Sequence, residues 1–192
     1  MNWRLLLLPL LLAGCGRADP GQPPLAGARI GGPFALTDQN GAKRTEKDWA
    51  GKYRMMYFGY TFCPDVCPVD MAKLAAGHRA FAKEDPNRAA RVVPIFVSVD
   101  PKRDTPQAVR AFVNAMGPGV VGLTASDQRT IEEVARAYGV AFTYEKPNET
   151  GQYLVAHSNV AYLMDPQNKP IALLPLDQKP EDIAAVLDMW VK

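Results

Sequence analysis

The sequence predicts an α/β domain in which helices flank a mixed central sheet, with a β-hairpin at its N-terminal end. Two observations carry that prediction. Apolar runs of strand length alternate with segments whose apolar residues recur at helical spacing. The last runs then follow one another without helices between them, which adds antiparallel strands. The bulk agrees: 192 residues, 47% hydrophobic and 22% charged, suit one domain of roughly 150 residues plus an appendage.

Each element has a local reason. Residues 34–37 and 42–45 flank Gln39-Asn40-Gly41, and Asn-Gly suits the positive φ values of a type I′ turn, so they form the hairpin. Residues 53–60 (YRMMYFGY) make a buried strand. Residues 68–83 make a helix, with Pro68 pre-set for its first position and Met71, Leu74 and Phe81 at helical spacing. Residues 91–99 form the next strand. Thr105 caps and Pro106 opens a second helix, which runs to Met116 and stops at Gly117-Pro118. A short strand at 120–123 precedes a helix at 130–138, ended by Gly139. Strands at 153–155, 159–164 and 171–174 lead to a final helix at 180–190. No internal repeat is visible.

The first 14 residues read as a targeting segment. Arg4 supplies a positive flank, residues 5–13 are almost wholly apolar, and Ala13-Gly14 is small. The apolar run is about half the roughly twenty residues that span a bilayer. Leu12-Ala13-Gly14-Cys15 resembles the bacterial lipobox, in which cleavage precedes a cysteine that carries diacylglycerol. Cys15 is therefore expected to be lipidated, anchoring the protein at the periplasmic face of a bacterial membrane. Residues 15–28 are rich in Pro and Gly and read as a flexible tether; residues 29–192 are the domain. A net charge of +2, without basic clusters, excludes nucleic acid as a partner. A monomer is the default state.

With Cys15 lipidated, two thiols remain, Cys63 and Cys67, in an oxidising compartment. A residue before proline is disfavoured in helical geometry. Cys67 is therefore placed at the helix N-cap and Cys63 at the end of the preceding strand. A helix N-terminus favours a thiolate, lowering a Cys pKa from about 8.5. Two thiols cannot complete a structural zinc site or a four-cysteine cluster. His78 stands eleven residues beyond Cys67, about 16 Å along a helix, and cannot share a metal with it. It is a packed or surface side chain. His157 lies beside a strand in the C-terminal half, where the fold can bring it opposite the thiols. Two thiolates and an imidazole suit Cu(I) and also hold Cu(II). Met71, one turn past Cys67, is read as core rather than ligand.

GYTFCPDVCP (residues 59–68) resembles the Sco/SenC family of copper proteins. So do SVDPKRDTP (98–106), VGLTAS followed by VARAYGV, and YLVAHSNVAYLMDP with its His157. The resemblance runs from about residue 30 to the C-terminus. It implies a thioredoxin-like fold and a copper ion, Cu(I) and/or Cu(II), carried by Cys63, Cys67 and His157. It also implies delivery of copper to, or reduction of the thiols of, the binuclear copper site of cytochrome c oxidase. The copper-site subunit of that oxidase would be the partner, with other periplasmic copper chaperones or thiol reductases beside it. One position departs: the family usually has Asp immediately before the histidine, and this chain has Ala156. Asp100 and Asp104 are expected to cap and turn locally.

The leading expectation is thus a copper metallochaperone rather than an enzyme. A thiol–disulfide oxidoreductase acting on exported clients is the alternative, although its usual motif is CxxC and here three residues intervene. A peroxidase has no marked single cysteine in its favour. A copper sensor or buffer is not distinguished from a chaperone by sequence.

Overall fold

The computed structural model describes residues 21–192, and the apolar run Tyr53–Gly59, buried throughout, lies inside its main sheet. In chain order the elements are β1 Ala35–Asp38, β2 Lys43–Thr45, a 3₁₀ turn Glu46–Trp49, β3 Tyr53–Gly59, α1 Val66–Glu84 and α2 Pro86–Ala89. They continue with β4 Val92–Ser98, α3 Pro106–Met116, β5 Val121–Thr124, α4 Gln128–Ala137, β6 Phe142–Tyr144 and β7 Val155–His157. The last are β8 Ala161–Met164, β9 Pro170–Leu173 and α5 Pro180–Trp190. Seven strands form one mixed sheet in the order β2-β1-β5-β4-β3-β8-β9, and β6 pairs with β7 apart from it. Strands β3, β4 and β5 run parallel, and the remaining pairs are antiparallel. This is the expected α/β, thioredoxin-like architecture with its N-terminal hairpin.

Strand β3 can be apolar on both faces because helices cover both. Successive side chains point to opposite sides of a sheet. The Tyr57 hydroxyl reaches Asp70 on α1, while the Phe58 ring packs at 5.4 Å from that of Tyr138, just past α4. Helices α1 and α4 therefore lie on opposite faces. Two glycines set how closely the layers approach. A Cβ on Gly77 of α1 would stand 2.7 Å from the Cβ of Ile183 on α5, and one on Gly122 of β5 would stand 2.3 Å from Val109 of α3.

Four local expectations are corrected. The hairpin turn is not type I′: among the described residues Asn168 is the one non-glycine with positive φ, so Asn40 is not left-handed, while Gly41 is, at 85°. Gly41 N–H donates to Asp38 O, and Asp38 Oδ1 accepts from the N–H groups of Asn40 and Ala42, a turn closed by a left-handed glycine. The helix read as starting at Pro68 starts at Val66, with Asp65 as N-cap. Pro68 is then its third residue, where no intrahelical N–H bond is due, so proline breaks nothing there. Strand β6 and the short helix α2 were not expected. Residues 24–27, inside the segment read as a tether, form a turn, and Leu25 N–H donates to Ile171 O at 3.0 Å. Ordered packing therefore begins ahead of Arg29. Cys15 and the targeting segment lie outside the described residues.

Candidate metal centre

The chain leaves β3 at Gly59 and turns at once, Cys63 N–H donating to Tyr60 O. Cys63 thus sits in the loop between β3 and α1, not at the strand end. Cys67 is inside the first turn of α1, and its N–H, one of the orphan donors of the helix start, points to Cys63 Sγ at 3.4 Å. Among the described residues Cys63 and Cys67 are the free cysteines, and both are buried.

Room for the Cys67 thiol comes from Gly59. A Cβ there would meet Cys67 Sγ at 2.9 Å and Tyr57 Cε1 at 2.9 Å. That close fit removes water from the thiol. Desolvation, with the Cys63 side chain adding to it, pushes the Cys67 pKa up to about 12. This corrects the expectation of a lowered value: for Cys67, burial outweighs the helix terminus.

His157 closes the site from β7. Its Nε2 stands 3.3 Å from Cys67 Sγ, and its Nδ1 is 3.1 Å from Ser158 O, a partner that can only accept. The proton therefore belongs on Nδ1, which leaves the Nε2 lone pair facing the sulfur. The rings of Tyr57 and Tyr60 stand edge-on to the imidazole at 6.3 and 6.1 Å. Among the described residues no three His, Cys, Asp or Glu side chains already form a metal-holding group. What is assembled is the Cys67–His157 pair, with Cys63 Sγ one hydrogen bond from the Cys67 backbone. His78 bonds Ala89 O at 3.1 Å instead, and Met71 is fully buried core.

Residues not singled out in the sequence support the pair. Asp70, buried on α1, accepts from the Tyr57 hydroxyl at 3.3 Å, and burial raises its pKa above the ordinary carboxylate value. Asp104 is more than a local turn former. Its Oδ2 accepts from Thr61 N–H at 2.9 Å and from the Ser98 hydroxyl, and its Oδ1 accepts from the Thr61 hydroxyl at 2.6 Å. It thereby ties down the loop that carries Cys63. Asp100 accepts from Arg103 and from the Tyr153 hydroxyl. The Arg103 guanidinium lies 3.6 Å over the Tyr153 ring, and 5.6 and 5.0 Å from those of Tyr60 and Phe62. Arg103 joins the cysteine loop to the segment leading into His157. Asp70 was findable, because it shares the buried stripe of α1 with Cys67, Met71 and Leu74. The Asp104 and Arg103 contacts cross 43 and 50 residues, and no spacing rule reaches that far.

The fold and the site define a thioredoxin-like protein with two thiols and an imidazole gathered at the start of its first helix. The chain belongs to the SCO1/SenC family, whose model matches residues 22–192. It is 47% identical over 145 residues to the mitochondrial protein SCO1 homolog 1 of Arabidopsis thaliana, covering 75% of this chain and 42% of that protein. It is 38% identical over 159 residues to protein SenC of Rhodobacter capsulatus, covering 83% of this chain and 69% of that one. Among solved structures it resembles Arabidopsis thaliana ScoI with copper bound, at TM-score 0.76 and 37% identity, covering 83% of this chain and 97% of that one. The match thus spans less than half the length of the Arabidopsis SCO1 homolog.

Proposed function

We propose that this protein is a copper metallochaperone that carries its ion on Cys63, Cys67 and His157 and supports assembly of the binuclear copper site of cytochrome c oxidase. The observation that carries the reading is the approach of His157 Nε2 to Cys67 Sγ at 3.3 Å, with the ring proton held on the far nitrogen. A soft sulfur and a free imidazole lone pair, with a second sulfur beside them, suit copper in both oxidation states. Copper is cargo here, so a site that is gathered but not closed fits its task. Exposed apolar side chains border the thiols: Phe62, Val66 and Val69 are 51%, 43% and 49% accessible. Such a rim suits contact with another protein. The proposal includes lipidation at Cys15 and residence on the periplasmic face of a bacterial membrane. Among the described residues no helix is long and apolar enough to cross one.

The test is a copper titration of the reduced protein beside Cys63→Ser, Cys67→Ser and His157→Ala. Wild type is expected to bind one ion, and each serine variant to lose stoichiometric binding. Binding that survives loss of either cysteine, or no binding by wild type, overturns the reading.

One observation favours thiol–disulfide exchange as a second activity: both cysteines are free, and Cys67 N–H donates to Cys63 Sγ. Cys63, whose Sγ accepts that N–H from the helix start, is then the attacking thiol. Turnover of a disulfide client that is unaffected by His157→Ala would support it.

A further inference from the structure

Asp70 is an uncomfortable residue for its position. It lies inside α1, three residues past Cys67, and is 5% exposed. An apolar side chain such as Leu would be better there on both helix propensity and burial. It caps nothing, because the helix N-cap is Asp65. It instead faces two other parts of the site.

On one side it accepts from the hydroxyl of Tyr57, a fully buried β3 residue. The same hydroxyl faces the Cys67 side chain, and the Tyr57 ring is edge-on to His157 at 6.3 Å. On the other side Asp70 faces the side chain of Asn159, two residues beyond His157. One carboxyl thus holds the Tyr57 hydroxyl and stands beside the segment that carries His157. Ala156, beside the histidine, has only a methyl to offer and points no polar group into this network.

We propose that Asp70 is a positioning residue that sets the Cys67–His157 distance through Tyr57 and Asn159. The inference rests on the copper reading for one of its two readouts only.

The experiment uses the full chain, reduced, with Asp70→Leu, Asp70→Asn, Tyr57→Phe and Asn159→Ala, each checked for fold by circular dichroism. Copper is titrated against a competing chelator. Asp70→Leu is expected to bind roughly 10–100-fold more weakly, the usual effect of losing a group that orients a metal ligand. Asp70→Asn, whose amide oxygen still accepts from Tyr57, stays within about threefold by the same reasoning. In the metal-free protein the magnetic cross-relaxation between the Tyr57 and His157 rings is present in wild type and lost in Asp70→Leu. Asp70→Leu that folds and keeps both affinity and ring contact overturns the proposal, as does a loss in Asp70→Asn equal to that in Asp70→Leu. If wild type binds no copper while the ring contact still depends on Asp70, the positioning role stands and the copper reading fails. Should Asp70→Leu not fold, Tyr57→Phe and Asn159→Ala carry the test. A double variant no worse than the worse single supports a shared link, and strictly additive losses overturn it.

Discussion

His157 Nε2 stands 3.3 Å from Cys67 Sγ across 90 residues of chain, and the proton on its other nitrogen is fixed by Ser158 O. Copper(I) is content with two thiolates, whereas copper(II) needs the imidazole more. His157→Ala is therefore expected to lower Cu(II) affinity by roughly 100-fold or more and Cu(I) affinity by only about tenfold. Competition titrations in each oxidation state check this; equal losses would count against the ligand role.

Two glycines separate site from scaffold. Gly59→Ala places a methyl 2.9 Å from Cys67 Sγ, and Gly77→Ala places one 2.7 Å from Ile183, between α1 and α5. Both are expected to cost about 1–3 kcal/mol as overpacking. Only Gly59→Ala should also weaken copper binding. Thermal melts beside metal titrations distinguish them, and a Gly77→Ala that loses copper without melting earlier would refute the division.

Asp104 is fully buried, and burial holds its carboxyl above the ordinary carboxylate range despite its hydrogen bonds. A carboxyl raised in the folded state binds its proton more tightly there than in the unfolded chain. Its contribution to stability is present in acid and is lost as pH rises from about 4 through the raised value. Asp70 acts with the same sign, so the informative quantity is wild type minus variant. In Asp104→Asn that part of the decline should disappear. Urea unfolding between pH 4 and 7 measures it, and an unchanged slope would be the contrary result.

Arg103 stacks on Tyr153 at 3.6 Å and donates to Tyr153 O at 2.8 Å. Arg103→Lys keeps the charge but loses the planar stack and the fork toward Asp100. Copper affinity is expected to fall about tenfold in Arg103→Lys as in Arg103→Ala, by the cost typical of misplaced ligand supports. Full rescue by lysine would show that charge alone matters.

Cys15→Ser should move the protein from the membrane fraction to the soluble one, because the apolar segment before it is too short to span. Fractionation of expressing cells reads this directly. A serine variant that stays with the membrane rules out lipidation as the tether.

Strong periodic signals were legible in the sequence. The final helix falls at Pro180–Trp190 as read, and Thr105 caps α3 through Ala108 N–H. The two thiols and the histidine that the fold brings beside Cys67 could be named, because the chain has so few cysteines and histidines. Their setting could not. The pre-proline rule put Cys67 outside a helix that in fact contains it, since a proline in the first turn forfeits no bond. The protonation of Cys67 depends on how deeply Gly59 and its neighbours bury it, which is a tertiary quantity. Strand β6 has three residues, and only its pairing with β7 makes it a strand.

That small ribbon divides the proposed ligand set between two sheets. Cys63 and Cys67 are rooted in the seven-stranded sheet and its first helix, whereas His157 rides on a separate pair of strands. Beyond its own β6 pairing, the ribbon is tethered by contacts such as Tyr144 OH to Val99 O and Arg103 to Tyr153. Parting that ribbon from the main sheet would break only a few bonds and leave the seven-stranded ladder whole. On the copper reading proposed above, the imidazole is then the ligand held by the fewest contacts, and it is the one that would let go first.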